Sequence, residues 1–293
     1  MCSKPVTGES REEIGPTTQW TVGRVTKAGS EPEEISVVRE EPLSVEINDT
    51  QVAILMRLPG YEKELAAGFC LSEGLVASSD DIQIIQHCGS GVGMPVEPGK
   101  ESTPDSRNVV VVRVPEGAWQ RPASEVVRLI RSGCGSVGIE AGDLDLPVVD
   151  SQASTDADVI LMLNSTMRDN QGLFRDVGAV HAAALFDLAG ELVALYEDIG
   201  RHNAMDKALG HALLRGISLD DKMIATSGRA SYEMVVKAIR LGIPIVASVS
   251  SPTSLAAQLA EVHGCTLIGY MRGRRFSIYT HPERVRLRPG TRA

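Results

Sequence analysis

Aromatic side chains are scarce, at 4% of 293 residues with only two tryptophans. Base-stacking platforms for nucleic acid therefore have little to be built from. No apolar run reaches the ~18 residues of a membrane span. The polar start, Met1 to Glu13, lacks a signal-peptide core. The five cysteines, Cys2, Cys70, Cys88, Cys134 and Cys265, include no CxxC pair. Their wide spacing is neither a disulfide framework nor a zinc pattern. Walker A and the Rossmann GxGxxG are both missing. These absences predict a cytoplasmic protein, with no nucleic-acid partner, no membrane contact and no protein-bound metal.

What is present is enough for a core and an uneven charge. Hydrophobic residues make up 43% and the net charge is −9. Yet residues 270–293 hold seven arginines (272, 274, 275, 284, 286, 288, 292) against Glu283 alone. A basic end on an acidic body points to a local anion site or an acidic partner, and a solvated tail is the plainer alternative.

Taken in order, residues 1–30 lack periodicity and predict a mostly disordered segment, with a strand near Trp20–Val25. Residues 31–150 read as a smaller α+β part. Its strands are Ile35–Arg39, Leu43–Ile47, Val52–Leu58, Asp81–Gln86 and Val109–Val114. Asn48-Asp49 makes a turn, and a helix covers Glu62–Gly74 with Cys70 on its apolar face. A loop rich in Gly, Pro and Ser runs to Asn108. Ser124 then caps a helix over Glu125–Ser132. Residues 151–282 form a second part, and 283–293 a basic tail. The second part opens with a helix over Val159–Met167 and a hairpin of Val180–Asp187 with Glu191–Tyr196. Asn203 caps the next helix, whose stripe is Met205, Ala208, Leu209, Ala212 and Leu213. Strand and helix then alternate from Met223 to Tyr270, and Phe276–Thr280 is the last strand. That order implies parallel strands with right-handed crossovers, hence an α/β fold.

Ligands of open α/β sheets sit beyond the carboxyl ends of the strands. The three segments found there are Ser227-Gly228-Arg229-Ala230-Ser231, Ser250-Ser251-Pro252-Thr253 and Arg272-Gly273-Arg274-Arg275. Hydroxyls, glycines, arginines and helix starts suit a phosphorylated ligand. Gly200-Arg201-His202-Asn203 could add a fourth wall. His181 opens a strand, and a structural role and a ligand contact both remain open for it. A zinc deaminase would need H-x-E and a later P-C-x-x-C; neither is here. Arg131-Ser132-Gly133-Cys134-Gly135-Ser136-Val137-Gly138 sets one cysteine among glycines. Arg128 and Arg131 favour its thiolate, whereas the end of a helix would oppose it. An incidental cysteine in a helix stop remains the other reading.

Four stretches together resemble the FdhD family. They are Glu64–Phe69 with Ser72-Glu73-Gly74, Glu197-Asp198-Ile199-Gly200-Arg201-His202-Asn203-Ala204-Met205-Asp206-Lys207, Thr226–Glu233, and Ser250–Ala256. The resemblance runs from about residue 35 to 282. It implies a formate dehydrogenase accessory sulfurtransferase with a cytidine-deaminase-like, three-layer second part that lacks zinc. Its partners would be a cysteine desulfurase and formate dehydrogenase, and a homodimer is permitted. Its bound substrate would be the molybdenum (or tungsten) bis-guanine-dinucleotide cofactor. The family's reactive loop, C-G-x-C-G, is matched by Cys134-Gly135, but its second cysteine is Val137. The family's T-G-G-x-H reads Val177-Gly178-Ala179-Val180-His181.

On that resemblance Cys134 is the persulfide-forming nucleophile. Arg229, Arg272, Arg274 and Arg275 are phosphate ligands. Glu197, Asp198, Arg201, His202 and Asn203 are candidates for guanine or pterin contacts, with Asp206 a weaker one. Tyr270, Met271, Gly273, Ser227, Gly228 and His181 complete the expected cofactor site. Two rivals remain: a cofactor chaperone without sulfur chemistry, and a nucleotide-dependent hydrolase using Asp198 and His202.

Overall fold

The structure is a computed structural model and describes residues 15–87, 106–119, 128–130 and 145–287. Cys2, Cys88, Ser124, Cys134 and Val137 lie outside the described residues.

The chain opens with a hairpin, β1 (Thr17–Thr26) and β2 (Gly29–Val38), paired over ten residues a side. A disordered segment is thus not what residues 17–30 form. Trp20, Val22, Ile35 and Val37 share one face of the ribbon, a pattern obscured by the surrounding Thr, Ser and Glu. Arg39 clamps its base, donating to the carbonyls of Gly15 and Thr17.

The first lobe is a five-stranded sheet. Its strands are β3 (Glu41–Ile47), β4 (Thr50–Arg57), β5 (Ile84–His87), β6 (Val109–Arg113) and β7 (Arg128–Ile130), in the order β5-β6-β3-β4-β7. Asn48 and Asp49 both have positive φ, 46° and 66°, the requirement of a two-residue hairpin turn. The side chain of Asn48 pairs with both backbone groups of Val114. Leu43, Val45, Ile47, Val110 and Val112 pack under α1 (Glu62–Ser72), which buries Leu65, Phe69 and Cys70. The helix expected over Glu125–Ser132 is contradicted: residues 128–130 pair in parallel with Ala53–Leu55 of β4. An open strand edge outweighed a short helical pattern, because local propensity is a weak prior against tertiary pairing.

The second lobe is a six-stranded mixed sheet. It contains β9 (His181–Asp187), β10 (Leu192–Asp198), β11 (Lys222–Thr226), β12 (Ile245–Ser248), β13 (Thr266–Arg272) and β14 (Arg275–Thr280), ordered β10-β9-β11-β12-β13-β14. The central β11, β12 and β13 run parallel, as the alternation predicts. A short parallel pair, β8 (Thr155–Asp156) with β15 (Val285–Arg286), forms a separate two-stranded sheet. On one face lies α2 (Ala157–Asn170), whose Ile160, Leu163 and Met167 meet Ala182, Ala184, Phe186, Ala225 and Ile245. The other face carries α4 (Arg201–Leu214), α5 (Tyr232–Arg240) and α6 (Ser254–Val262) over Ala183, Leu185, Ile224 and Val246. Both faces are covered, so these strands read as unbroken apolar runs. The short α3 (Gly172–Val177) follows α2 at one end of the sheet.

Thr253 caps α6 as expected, accepting from the Ala256 N–H. Asn203 does not cap α4: Gly200 holds that position and Asn203 lies inside the helix. Two boundaries also shift. Leu146 and Val149 belong to the core of the second lobe, although they precede residue 151. Arg284 is buried and donates to the carbonyls of Val149, Ser151 and Gly264. Residues 283–286 are therefore built into the fold rather than part of a tail.

Candidate functional site

Those expected site residues that the structure describes lie at the rim of the six-stranded sheet where β11, β12 and β13 end. Backbone bonds tie these ends together: Val249 N to Thr226 O, Thr253 N to Ala230 O, and Tyr270 N to Ser250 O. Within this edge they form two groups.

The first group surrounds the starts of α4 and α5. His181 pairs with Asp198 across β9 and β10. Ser227 Oγ accepts from the Ala182 N–H at 2.9 Å and lies 3.5 Å from His181 Nδ1. Gly228 is buried beneath Arg201 and His181: a Cβ there would sit 3.4 Å from Arg201 Cδ and 3.5 Å from His181 Nδ1. His202 Nε2 is 3.1 Å from Glu233 Oε2. That contact, above all, holds the Glu233 carboxyl below its ordinary range. Burial, with Arg201 and His202 nearby, lowers the pKa of His181 against the pull of Asp198. Arg229 is exposed just beyond.

Four residues counted with this group serve the frame instead. Glu197 accepts from Leu173 N and Phe174 N and so caps α3. Asp198, fully buried, accepts from Leu58 N, Gly200 N, Asn203 Nδ2 and Lys207 Nζ. Asn203 Nδ2 also donates to Met56 O. Asp206 is likewise buried, with Lys237 Nζ 3.0 Å from both of its oxygens. Asp198, Asn203 and Asp206, which accepts from Ser72 Oγ of α1, hold the two lobes together, whereas Glu197 acts within the second lobe.

The second group is a pocket of about 630 Å³ between α2, α3 and the β13–β14 turn. Its walls carry Arg168, Arg175, Arg272, Arg274 and Arg275, with Asp169 as its one acid. The turn has positive φ at Gly273 (61°) and Arg274 (60°), so its two arms reverse within two residues. Tyr270 is also left-handed, at 54°, where the register between β13 and β14 slips. A non-glycine residue held there stores strain of about 1–3 kcal/mol, a mark of functional sites. The Arg272 guanidinium lies 5.5 Å over the Tyr270 ring. Met271 is buried in the core and faces away from solvent. Arg168 and Arg175 carry no motif and went unnoticed in the sequence. Arg168 falls on the α2 stripe with Leu161, Asn164 and Ser165, which only the fold aims at the β13–β14 turn.

Of the cysteines, Cys70 and Cys265 are fully buried, and burial pushes both thiols up to about 12. Neither can supply a thiolate near neutral pH, which leaves Cys2, Cys88 and Cys134. Among the described residues no group of three His, Cys, Asp or Glu is placed to hold a metal ion. No described helix is long and apolar enough to cross a membrane.

Fold and site together define a two-lobed α/β protein with a cluster of arginines at one rim of its larger sheet. The model of the FdhD/NarQ family matches residues 38–286, and the chain belongs to that family. It is 40% identical over 253 residues to the sulfur carrier protein FdhD of Sulfolobus acidocaldarius, covering 86% of this chain and 91% of that one. The protein of the same name from Mycobacterium tuberculosis is 38% identical over 263 residues, covering 87% and 92%. A crystal structure of a candidate formate dehydrogenase accessory protein from Desulfotalea psychrophila superposes with a TM-score of 0.70. It is 25% identical and is matched over 92% of this chain and 99% of its own.

Proposed function

We propose that this protein is a sulfur carrier for formate dehydrogenase maturation, with Cys134 as the sulfur-bearing residue. The observation that carries the reading is the near-complete alignment with proteins named sulfur carriers, at about 40% identity. The inert state of Cys70 and Cys265 narrows the choice to Cys2, Cys88 and Cys134, and of these Cys134 stands in the Cys134-Gly135 match to the family's reactive loop. In the proposed step the Cys134 thiolate attacks the terminal sulfur of a cysteine desulfurase persulfide. A new S–S bond forms, the donor leaves as a thiolate, and Cys134 holds a persulfide. The acceptor then attacks that terminal sulfur with its own electron pair, the S–S bond breaks and Cys134 leaves as the thiolate, so the acceptor gains a sulfane-level sulfur and no outside oxidant is needed.

The acceptor in this reading is the molybdenum or tungsten bis-guanine-dinucleotide cofactor, bound as substrate at the sheet edge. The unpaired arginines of the pocket suit its phosphates. The pocket volume lies within the ~300–1,000 Å³ of small-molecule sites. His181, Arg201, His202, Ser227, Gly228 and Arg229 line the neighbouring stretch of the same edge. A mixed sheet between α2 and α4–α6 also supports a cytidine-deaminase-like second lobe.

The test is mass spectrometry of the protein after incubation with a cysteine desulfurase and cysteine. A gain of about 32 Da, one sulfur atom, on Cys134 is expected, because the thiolate is the nucleophile. Cys134→Ala should gain nothing and should abolish maturation. Full maturation with Cys134→Ala would establish the chaperone reading, which Val137 in the loop favours.

A further inference from the structure

We propose that the α2–α3 corner is the second wall of the anion site. Arg168 and Arg175 bind phosphate oxygens of the ligand that the β13–β14 turn also holds. The site is thereby selective for a diphosphate over a monophosphate. The inference rests on the pocket being the nucleotide site of the proposed function, and it assigns residues that no motif marks.

Charge carries the first part of the argument. Five arginines and one aspartate line a single pocket, although the chain as a whole is at −9. Among the described residues no carboxylate pairs with any of the five arginines, and Asp169 pairs with none of them. The five arginines are exposed, so solvent moderates their mutual repulsion, but a cationic cluster without counter-charges creates a local field that attracts an anion.

Position carries the second part. Arginine near a helix C-terminus is ordinarily explained by the helix dipole and by bonds to the last carbonyls. Arg168 sits in the last turn of α2, but its guanidinium bonds no carbonyl there. It is turned into the pocket instead, on the stripe with Leu161, Asn164 and Ser165. Arg175 donates one bond, from Nη1 to Asp169 O at 3.3 Å, which fixes α3 against the end of α2. Its remaining donors are free for a ligand. Two walls on separate elements can each grip one phosphate group in a forked geometry. A monophosphate satisfies one wall only.

The experiment is calorimetric titration of the full chain with GDP and with GMP. The wild type should bind GDP at least about tenfold more tightly than GMP, since each charge-assisted contact is substantial. Arg168→Ala/Arg175→Ala should lower GDP affinity by about tenfold or more while moving GMP by less than about threefold. Arg168→Lys/Arg175→Lys should recover part of the preference, because charge persists without the fork. Arg286→Ala, which removes a surface pair with Asp156, should change neither affinity. If Arg272→Ala/Arg274→Ala abolishes binding while the α2–α3 double variant keeps the wild-type GDP-to-GMP ratio, the second wall is refuted and the pocket stands. If neither double variant matters, or the wild type binds neither nucleotide, the pocket itself is refuted and the inference falls with it.

Discussion

Lys237 is buried, and its ammonium touches Ser72 Oγ at 2.8 Å, Glu73 Oε1 at 2.7 Å and both oxygens of Asp206 at 3.0 Å. Burial alone would lower its pKa, but Asp206 and Glu73 outweigh that and hold it above the ordinary lysine value. Lys237→Met should cost about 3–5 kcal/mol in urea unfolding, because it strands buried carboxylates. Adding Asp206→Asn should recover part of that loss, and a double variant as unstable as the single would refute the pairing. The histidines give a second residue-scale expectation. His181 and His211 both titrate below the usual value, chiefly through burial. The unfolded chain therefore binds protons first as pH falls, and stability should drop below about pH 6.5. His181→Gln/His211→Gln should flatten that slope in thermal melts between pH 5.5 and 7.5; an unchanged slope would place the titration elsewhere. At this scale the sequence made residue types legible but not their employment. Arg272, Arg274 and Arg275 stood out as a cluster and do line the pocket. Asp198, Asn203 and Asp206 also stood out, yet their side chains are spent on the lobe junction, which only long-range contacts reveal.

Helices α1 and α4 cross so closely that their glycines have no room for a side chain. A Cβ on Gly68 would lie 1.9 Å from Asp206 O, and one on Gly210 would lie 1.9 Å from Glu64 O. In an exposed helix interior, glycine to alanine would stabilise by roughly 1 kcal/mol. Here the clash is with backbone and cannot relax by a rotamer change, so the sign reverses. Gly68→Ala and Gly210→Ala should each destabilise by at least about 1–3 kcal/mol, the cost of overpacking. A raised melting temperature in either would show that the helices stand further apart. Strands and helices of the second lobe were readable because each buries a full face with a clean period. The ribbon β1–β2 and strand β7 were not, because their pairing partners rather than their own residues decide them. Nothing in Arg128-Leu129-Ile130 announces that the edge of β4 is vacant.

The two lobes behave as one molecule because β4 ends inside the polar network of the second sheet. Leu58 N donates to Asp198 Oδ2, Leu58 O accepts from Lys207 Nζ, and Met56 O accepts from Asn203. Tyr61, held left-handed at φ 61°, sets its ring edge-on to Tyr196 at 4.8 Å beside this junction. Asp198 is the hub, since it joins β10, the start of α4 and the exit of β4. Asp198→Ala would leave Lys207 buried without its counter-charge, a loss of about 3–5 kcal/mol borne at the junction rather than within either core. The wild type should therefore unfold in one transition, seen alike by Trp119 fluorescence in a Trp20→Phe background and by circular dichroism. In Asp198→Ala the two signals should separate, with the Trp119 signal from the first lobe melting earlier. The first lobe supplies the strand β7 that leads toward Cys134, and the second supplies the arginine pocket. A loosened junction should thus lower formate dehydrogenase maturation although the Asp198 side chain is spent on the junction, while the GDP binding proposed for the second lobe should persist. Coincident melting in the variant, or loss of GDP binding together with maturation, would show that Asp198 acts at the ligand edge instead.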